Sequence, residues 1–169
     1  MARAPIRTMR PYMPGYGTKP ASQGSGLLPW SWAEERLISS RNYWMVSVWP
    51  DGSRPHAMPV WGMWHDLAFW FSSSLPSRKA KNLSAHRRCV VTTEDASNPV
   101  VVEGTAQLLT DPKHLELLLS LENAKYETDY KIDLLDPAVN SSFRVRPRWA
   151  FGIANGDFEG SPTRWEFEA

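Results

Sequence analysis

The sequence predicts an α+β protein in which six or seven antiparallel strands form a barrel with helices on its flanks. Two observations predict it. Residues 43–72 are dominated by aromatic and branched side chains and are cut by two turn signals, Pro50-Asp51-Gly52 and His65-Asp66, the pattern of a three-stranded meander. The whole chain then reads as helix, three strands, short helix, two strands, long helix, two strands, an order that suits an α+β barrel. At 169 residues the chain fits one domain with a core of ordinary size.

Residues 1–29 are rich in Pro, Gly and Ser, carry Arg3, Arg7, Arg10 and Lys19, and contain no acidic residue. They show no periodicity and are expected to form a flexible basic extension, ordered at most against a partner subunit. The barrel domain is expected over 30–169. Its first element is a short helix ending near Ser40, with Ser31 as N-cap, Glu34 completing a capping box, and Leu37 and Ile38 as its apolar edge.

The meander follows as Tyr43–Trp49, Pro55–Trp64 and Leu67–Ser72. Its second strand is apolar on both parities, with Met58, Val60 and Trp64 on one side and Ala57, Pro59, Trp61 and Met63 on the other. Such a strand needs a core on one face and a partner or ligand on the other. Pro59 has no N–H for a ladder, so this strand is expected at an edge or at a break in pairing. Trp61 shares the parity of Pro59 and is the tryptophan expected on the ligand side.

Ser77–Ala85 reads as a second short helix, Cys89–Thr93 and Val100–Leu109 as strands, and Asp111-Pro112 as the capped start of a long helix. Leu115, Leu118 and Leu119 put an apolar stripe on that helix. Two closing strands are expected near Trp149–Ile153 and Thr163–Phe167.

Composition narrows the chemistry. With 19 Lys+Arg against 18 Asp+Glu, a formal charge of +1, no global field points to nucleic acid or to an anionic membrane. The single cysteine, Cys89, excludes an intramolecular disulfide framework and reads as a small buried hydrophobe. No stretch approaches the roughly 18 apolar residues of a membrane span, and no apolar leader follows the first arginines, so a cytoplasmic protein is expected. The four histidines are scattered at 56, 65, 86 and 114, with no H-E-x-x-H and no nucleophile elbow, which leaves metal and acyl chemistry without support. His56 and His65 stand next to turns, where a solvated imidazole is the ordinary outcome.

The most informative chemistry lies in Ser72-Ser73-Ser74-Leu75-Pro76-Ser77-Arg78-Lys79-Ala80-Lys81-Asn82-Leu83, which joins a strand to a helix. With Ser77 as N-cap, Arg78 and Lys79 fall in the first turn, where the helix dipole repels cations by up to about 1 kcal/mol each. A phosphate offsets that repulsion, because helix-start N–H groups, a guanidinium and an ammonium converge there. Asn82, three and four residues on, is expected to add a neutral donor from the same side. The competing reading is a solvated basic turn that only keeps the surface soluble.

At this segment the chain resembles the flavin-binding split barrels of the pyridoxamine 5′-phosphate oxidase type, and within them the flavin/deazaflavin oxidoreductases. The resemblance covers about residues 30–168. It rests on Glu35-Arg36-Leu37 with Asn42-Tyr43-Trp44, on Asp51-Gly52 through Pro55-His56 to Pro59-Val60-Trp61, on Phe71-Ser72, and above all on Ser77-Arg78-Lys79-Ala80-Lys81-Asn82-Leu83 followed by Val102-Glu103-Gly104-Thr105-Ala106.

The resemblance implies a homodimer with two cofactor sites at the subunit interface. It implies that Ser77, Arg78 and Lys79 hold the cofactor phosphate with Asn82 beside them. Met58, Pro59, Val60 and Trp61 would lie along the ring, Ser72 and Ser73 near the ribityl chain, and Trp149, Arg164 and Trp165 would reach the partner's site. The Trp61–Trp64 segment and the short basic helix resemble the branch that uses the deazaflavin F420. FMN is the alternative cofactor, and the arginine and histidine that hold pyridoxamine phosphate in the classical oxidase have no match in Arg164-Trp165-Glu166-Phe167. A cofactor or haem carrier without catalysis is the reading from a different class. The resemblance offers no catalytic residue, since in such enzymes the ring carries the hydride.

Overall fold

A computed structural model of the chain describes residues 5–168. Among these residues nine strands join into one sheet that curls into a barrel, with three α-helices and one 3-10 turn packed around it. In chain order they are β1 (Arg7–Met9), α1 (Trp30–Ser39), β2 (Tyr43–Val48), β3 (Pro55–Val60), β4 (Met63–His65), β5 (Ala68–Ser74), α2 (Arg78–Ala85), β6 (Arg88–Thr93), β7 (Val100–Leu109), α3 (Pro112–Tyr126), the 3-10 turn (Ile132–Leu135), β8 (Asn140–Gly152) and β9 (Thr163–Glu166). The predicted α+β barrel is the observed class, with nine strands among the described residues in place of the expected six or seven.

All pairings are antiparallel, in the order β1-β9-β8-β7-β6-β2-β3, with β5 joining β8 to β4. The interior is filled by inward residues of the strands, among them Tyr43, Met45, Phe69, Phe71, Val91, Val102, Phe143, Val145 and Trp165. A second, smaller core lies under α3, where Leu115 and Leu118 meet Met63, Trp70 and Leu109. Cys89 is buried in the main core, which pushes its thiol up to about 12; it is the inert hydrophobe that its apolar neighbours predict.

Four details depart from the sequence reading. Helix α1 begins at Trp30 with Pro29 at its N-cap and no side-chain cap. Ser31 is thus inside the helix, and Glu34 accepts instead from Trp64 Nε1 at 3.4 Å; a tertiary contact outcompetes the capping box.

The expected strand 55–64 is two strands. β3 pairs with β2 as far as Val60, β4 pairs with β5 from Met63, and the chain changes partner across Trp61-Gly62. A side chain at Gly62 would meet the Phe69 ring at 2.2 Å and Trp70 O at 2.9 Å, so only glycine lets the backbone press this close to β5. β3 is an edge strand, as Pro59 requires.

β8 begins nine residues before its expected start. Phe143, Val145 and Pro147 face inward while Arg146 and Arg148 are exposed, the two-residue alternation of a half-buried strand. Arginines every second residue disguise it as a loop when apolar runs are sought.

The N-terminal segment is not an unpatterned arm from residue 5 onward. β1 pairs with β9, Arg10 Nη1 donates to Pro162 O at 2.6 Å, and Leu28 N donates to Thr163 Oγ1 at 2.8 Å. The free edge of β9 supplies backbone partners that no local pattern reveals. Arg3, the first charge of the expected extension, lies outside the described residues.

Candidate functional site

Helix α2 starts where the sequence predicts. Ser77 has extended backbone and its Oγ accepts from Ala80 N at 3.2 Å, closing one of the helix's orphan donors. Ser73 Oγ stands 2.8 Å from Ser77 Oγ, so the end of β5 is tied to the cap. Ser72 belongs elsewhere. It pairs with Ser142 while Ser73 pairs with Ser141, and adjacent strand residues point to opposite faces. Only Ser73 of the two accompanies the helix start.

Arg78 and Lys79 occupy the first turn with no acidic residue beside them. Among the described residues neither has a carboxylate within ion-pair distance. The Arg78 guanidinium lies 3.8 Å from the centre of the Trp49 ring, and that of Arg54 lies 3.8 Å from the same ring. Two like charges at that distance cannot share one face, so they flank the indole. Burial lowers the Lys79 ammonium below its ordinary range: the residue gives up hydration without gaining a counter-charge. Arg54 was not singled out by sequence, nor was its pairing with Arg78 about Trp49. Their signal was the hairpin Trp49–Arg54, whose closing bond runs from Trp49 N to Arg54 O at 2.9 Å.

Asn82 corrects an expectation. It does not face outward with Arg78 and Lys79; it is fully buried, and its Nδ2 donates to Ser47 Oγ of β2 at 3.0 Å. Its Oδ1 has no partner among the described residues. Ala80, Asn82 and Leu83 are the buried residues of α2, and for Asn82 the hydroxyl of Ser47 on β2 is the partner that decides its direction. Its bond ties α2 to the barrel.

The registers of β2 and β3 sort the remaining residues by face. Ser47 and Met45 lie opposite His56 and Met58, and Asn82 bonds Ser47, so His56 and Met58 share the face on which α2 packs. The Nδ1 of His56 is buried there and has no partner among the described residues. Pro59 and Ala57 lie opposite Trp44 and Val46 on the outer face. Val60 is buried in the core, whereas Met58 is 44% exposed and Trp61 42% exposed. Trp61 lies beyond the end of β3 and stacks flat on Tyr126, with 4.2 Å between centroids and 3° between planes.

Trp149, Arg164 and Trp165 stand apart from α2. Arg164 lies 4.7 Å from the Trp149 ring and pairs with Glu166 at 3.1 Å. Trp165 is fully buried in this chain's own core beside Trp30, which corrects the expectation that it reaches a partner's site.

An antiparallel barrel of this order with helices packed around it has the architecture of the flavin-binding split barrels. The chain belongs to the pyridoxamine 5′-phosphate oxidase family, whose model matches residues 33–152. No curated protein sequence matches it. Solved structures share the fold. A conserved hypothetical protein from Mycobacterium tuberculosis is 21% identical with a TM-score of 0.64, covering 82% of this chain and 85% of that one. An F420 reductase is 23% identical with a TM-score of 0.55, covering 68% and 91%. A FAD-binding protein from Mesorhizobium loti is 17% identical with a TM-score of 0.59, covering 83% and 96%.

Proposed function

We propose that this protein is a cytoplasmic, homodimeric oxidoreductase that binds the deazaflavin F420 and transfers a hydride between it and a small organic substrate. The observation that carries the reading is the uncompensated pair Arg78–Lys79 in the first turn of α2. A half-buried ammonium and a guanidinium already stacked on Trp49, both without carboxylate partners, fit a phosphate. Asn82 stands apart from this grip, because its side chain is fully buried and its Nδ2 bonds Ser47 inside the barrel.

In this reading Arg78 and Lys79 hold the phosphate, Ser77 caps the helix that presents them, and Ser73 fixes the cap. Met58, which shares the face of α2, would contact the ring. When bound, the ring supplies the hydride chemistry, while the protein supplies orientation and a dry wall. The F420 assignment draws support from the resemblance in the Ser77–Leu83 segment and from the F420 reductase of like fold. FMN is the alternative, because the same phosphate grip serves it. No helix of the described residues is long and apolar enough to cross a membrane.

The test is a fluorescence titration of the purified protein with F420 and, separately, with FMN. Tighter binding of F420 supports the proposal; preference for FMN replaces the cofactor, and binding of neither removes the function. Lys79→Ala is expected to weaken cofactor binding by about 1.5–3 kcal/mol, the range for a hydrogen bond to a charged group. The oligomeric state should not change.

A further inference from the structure

The C-terminal end of α3 grips the point where the chain leaves β2 and joins β5. A partner change inside a sheet orphans backbone groups, which must be satisfied if buried. At Gly62 they are. Its N–H donates to Tyr126 Oη at 2.8 Å, and its carbonyl accepts from Lys125 Nζ at 2.9 Å. Tyr126 Oη in turn lies 2.7 Å from Arg41 O and 3.0 Å from Gly62 O.

The same ammonium donates to Tyr43 Oη at 2.7 Å, and Tyr43 donates to Leu37 O. Tyr43 lies opposite Val60, at the end of the β2–β3 register. Lys125 therefore holds both sides of the ladder at the point where it ends. β3 has no other strand neighbour among the described residues, and Pro55 and Pro59 give its ladder no N–H. The position of Met58–Trp61 thus depends on this grip more than a central strand would.

We propose that Lys125 is a positioning residue for the bound cofactor, fixing Gly62 and through it the end of β3 that carries Met58. This rests on the proposed function, since that reading puts the ring there. The ammonium is held by Gly62 O and Tyr43 Oη, and burial there pushes it down to about 8.

The test uses the full chain and the variants Lys125→Met and Tyr126→Phe, with Lys125→Arg as the conservative control. Three quantities are read: hydrogen-exchange protection of the Gly62 amide, F420 affinity with the visible absorption maximum of the bound ring, and affinity for inorganic phosphate. In Lys125→Met, protection is expected to fall roughly tenfold, about the value of one charge-assisted hydrogen bond. The dissociation constant for F420 should rise by a similar factor and the absorption maximum should move, while phosphate affinity stays unchanged. Lys125→Arg should recover part of each, and Tyr126→Phe should lower Gly62 protection with its fold intact.

Unchanged protection in both Lys125→Met and Tyr126→Phe overturns the grip. Lower protection with an unmoved ring spectrum and unmoved F420 affinity overturns the positioning role. A wild type that binds phosphate but neither F420 nor FMN overturns the proposed function and the positioning role together, whereas the exchange data still decide the grip.

Discussion

Lys125 carries its proton at a cost that depends on pH. Desolvation by burial is the main cause of its lowered value, Arg41 adds to it and Glu94 opposes it. Below about 8 both folded and unfolded chains hold the proton, and the desolvation cost is present in full. Between there and the ordinary lysine value the unfolded chain binds more protons than the folded one, so stability rises with pH. Tyr43 and Tyr126, which face the ammonium, are raised by burial and stay neutral through this window. Urea melts of wild type and Lys125→Met from pH 7 to 10 should show the difference moving in favour of the wild type as pH rises. The gain will be well below the full value of the shift, because the side chain is only half buried. A difference independent of pH would mean that the amine is not desolvated.

At the scale of elements, α2 is short and its start is the candidate site. Ser77→Ala removes the acceptor for Ala80 N and the partner of Ser73, and is expected to cost about 1 kcal/mol of stability. Cofactor affinity should fall as well, because the turn that presents Arg78 and Lys79 frays. Chemical denaturation beside a ligand titration separates the two effects. β1 is a different case. It closes the β9 edge far along the sheet from α2, so deletion of residues 1–9 should lower the melting temperature and leave F420 affinity unchanged. Loss of affinity in that deletion would give the N-terminal segment a part in the site.

For the molecule as a whole, the outer face of β2 and β3 leaves two large apolar side chains uncovered. Trp44 is 46% exposed and Val48 38% exposed, beside Pro59 and Ala57. The proposed dimer gives this face a partner, consistent with a strand that is apolar on both sides. Trp44→Glu is expected to shift sedimentation from dimer toward monomer. A monomeric wild type at micromolar concentration would remove the interface and require another explanation for the exposed tryptophan.

What the sequence determined by itself was local. Ser77, Asp111-Pro112 and the runs at 43–48, 88–93 and 100–109 carry their own caps, turn residues and two-residue periods, and these elements lie where they were expected. The cation pair at 78–79 was legible for the same reason: charge against a helix dipole is a property of neighbours in sequence. Only the tertiary structure decided that Asn82 turns inward to Ser47 and that Trp165 is core. It alone split the strand at Gly62, laid residues 7–9 along β9, and brought Arg54 and Arg78 to one indole. Each of these is settled by a partner distant in the chain: a buried hydroxyl, a neighbouring indole, a phenylalanine ring against a missing side chain, an open strand edge. Local propensity contributes tenths of a kcal/mol per residue, whereas an orphaned backbone group or an overfilled core costs about 1–3 kcal/mol. Where the two disagree, packing decides.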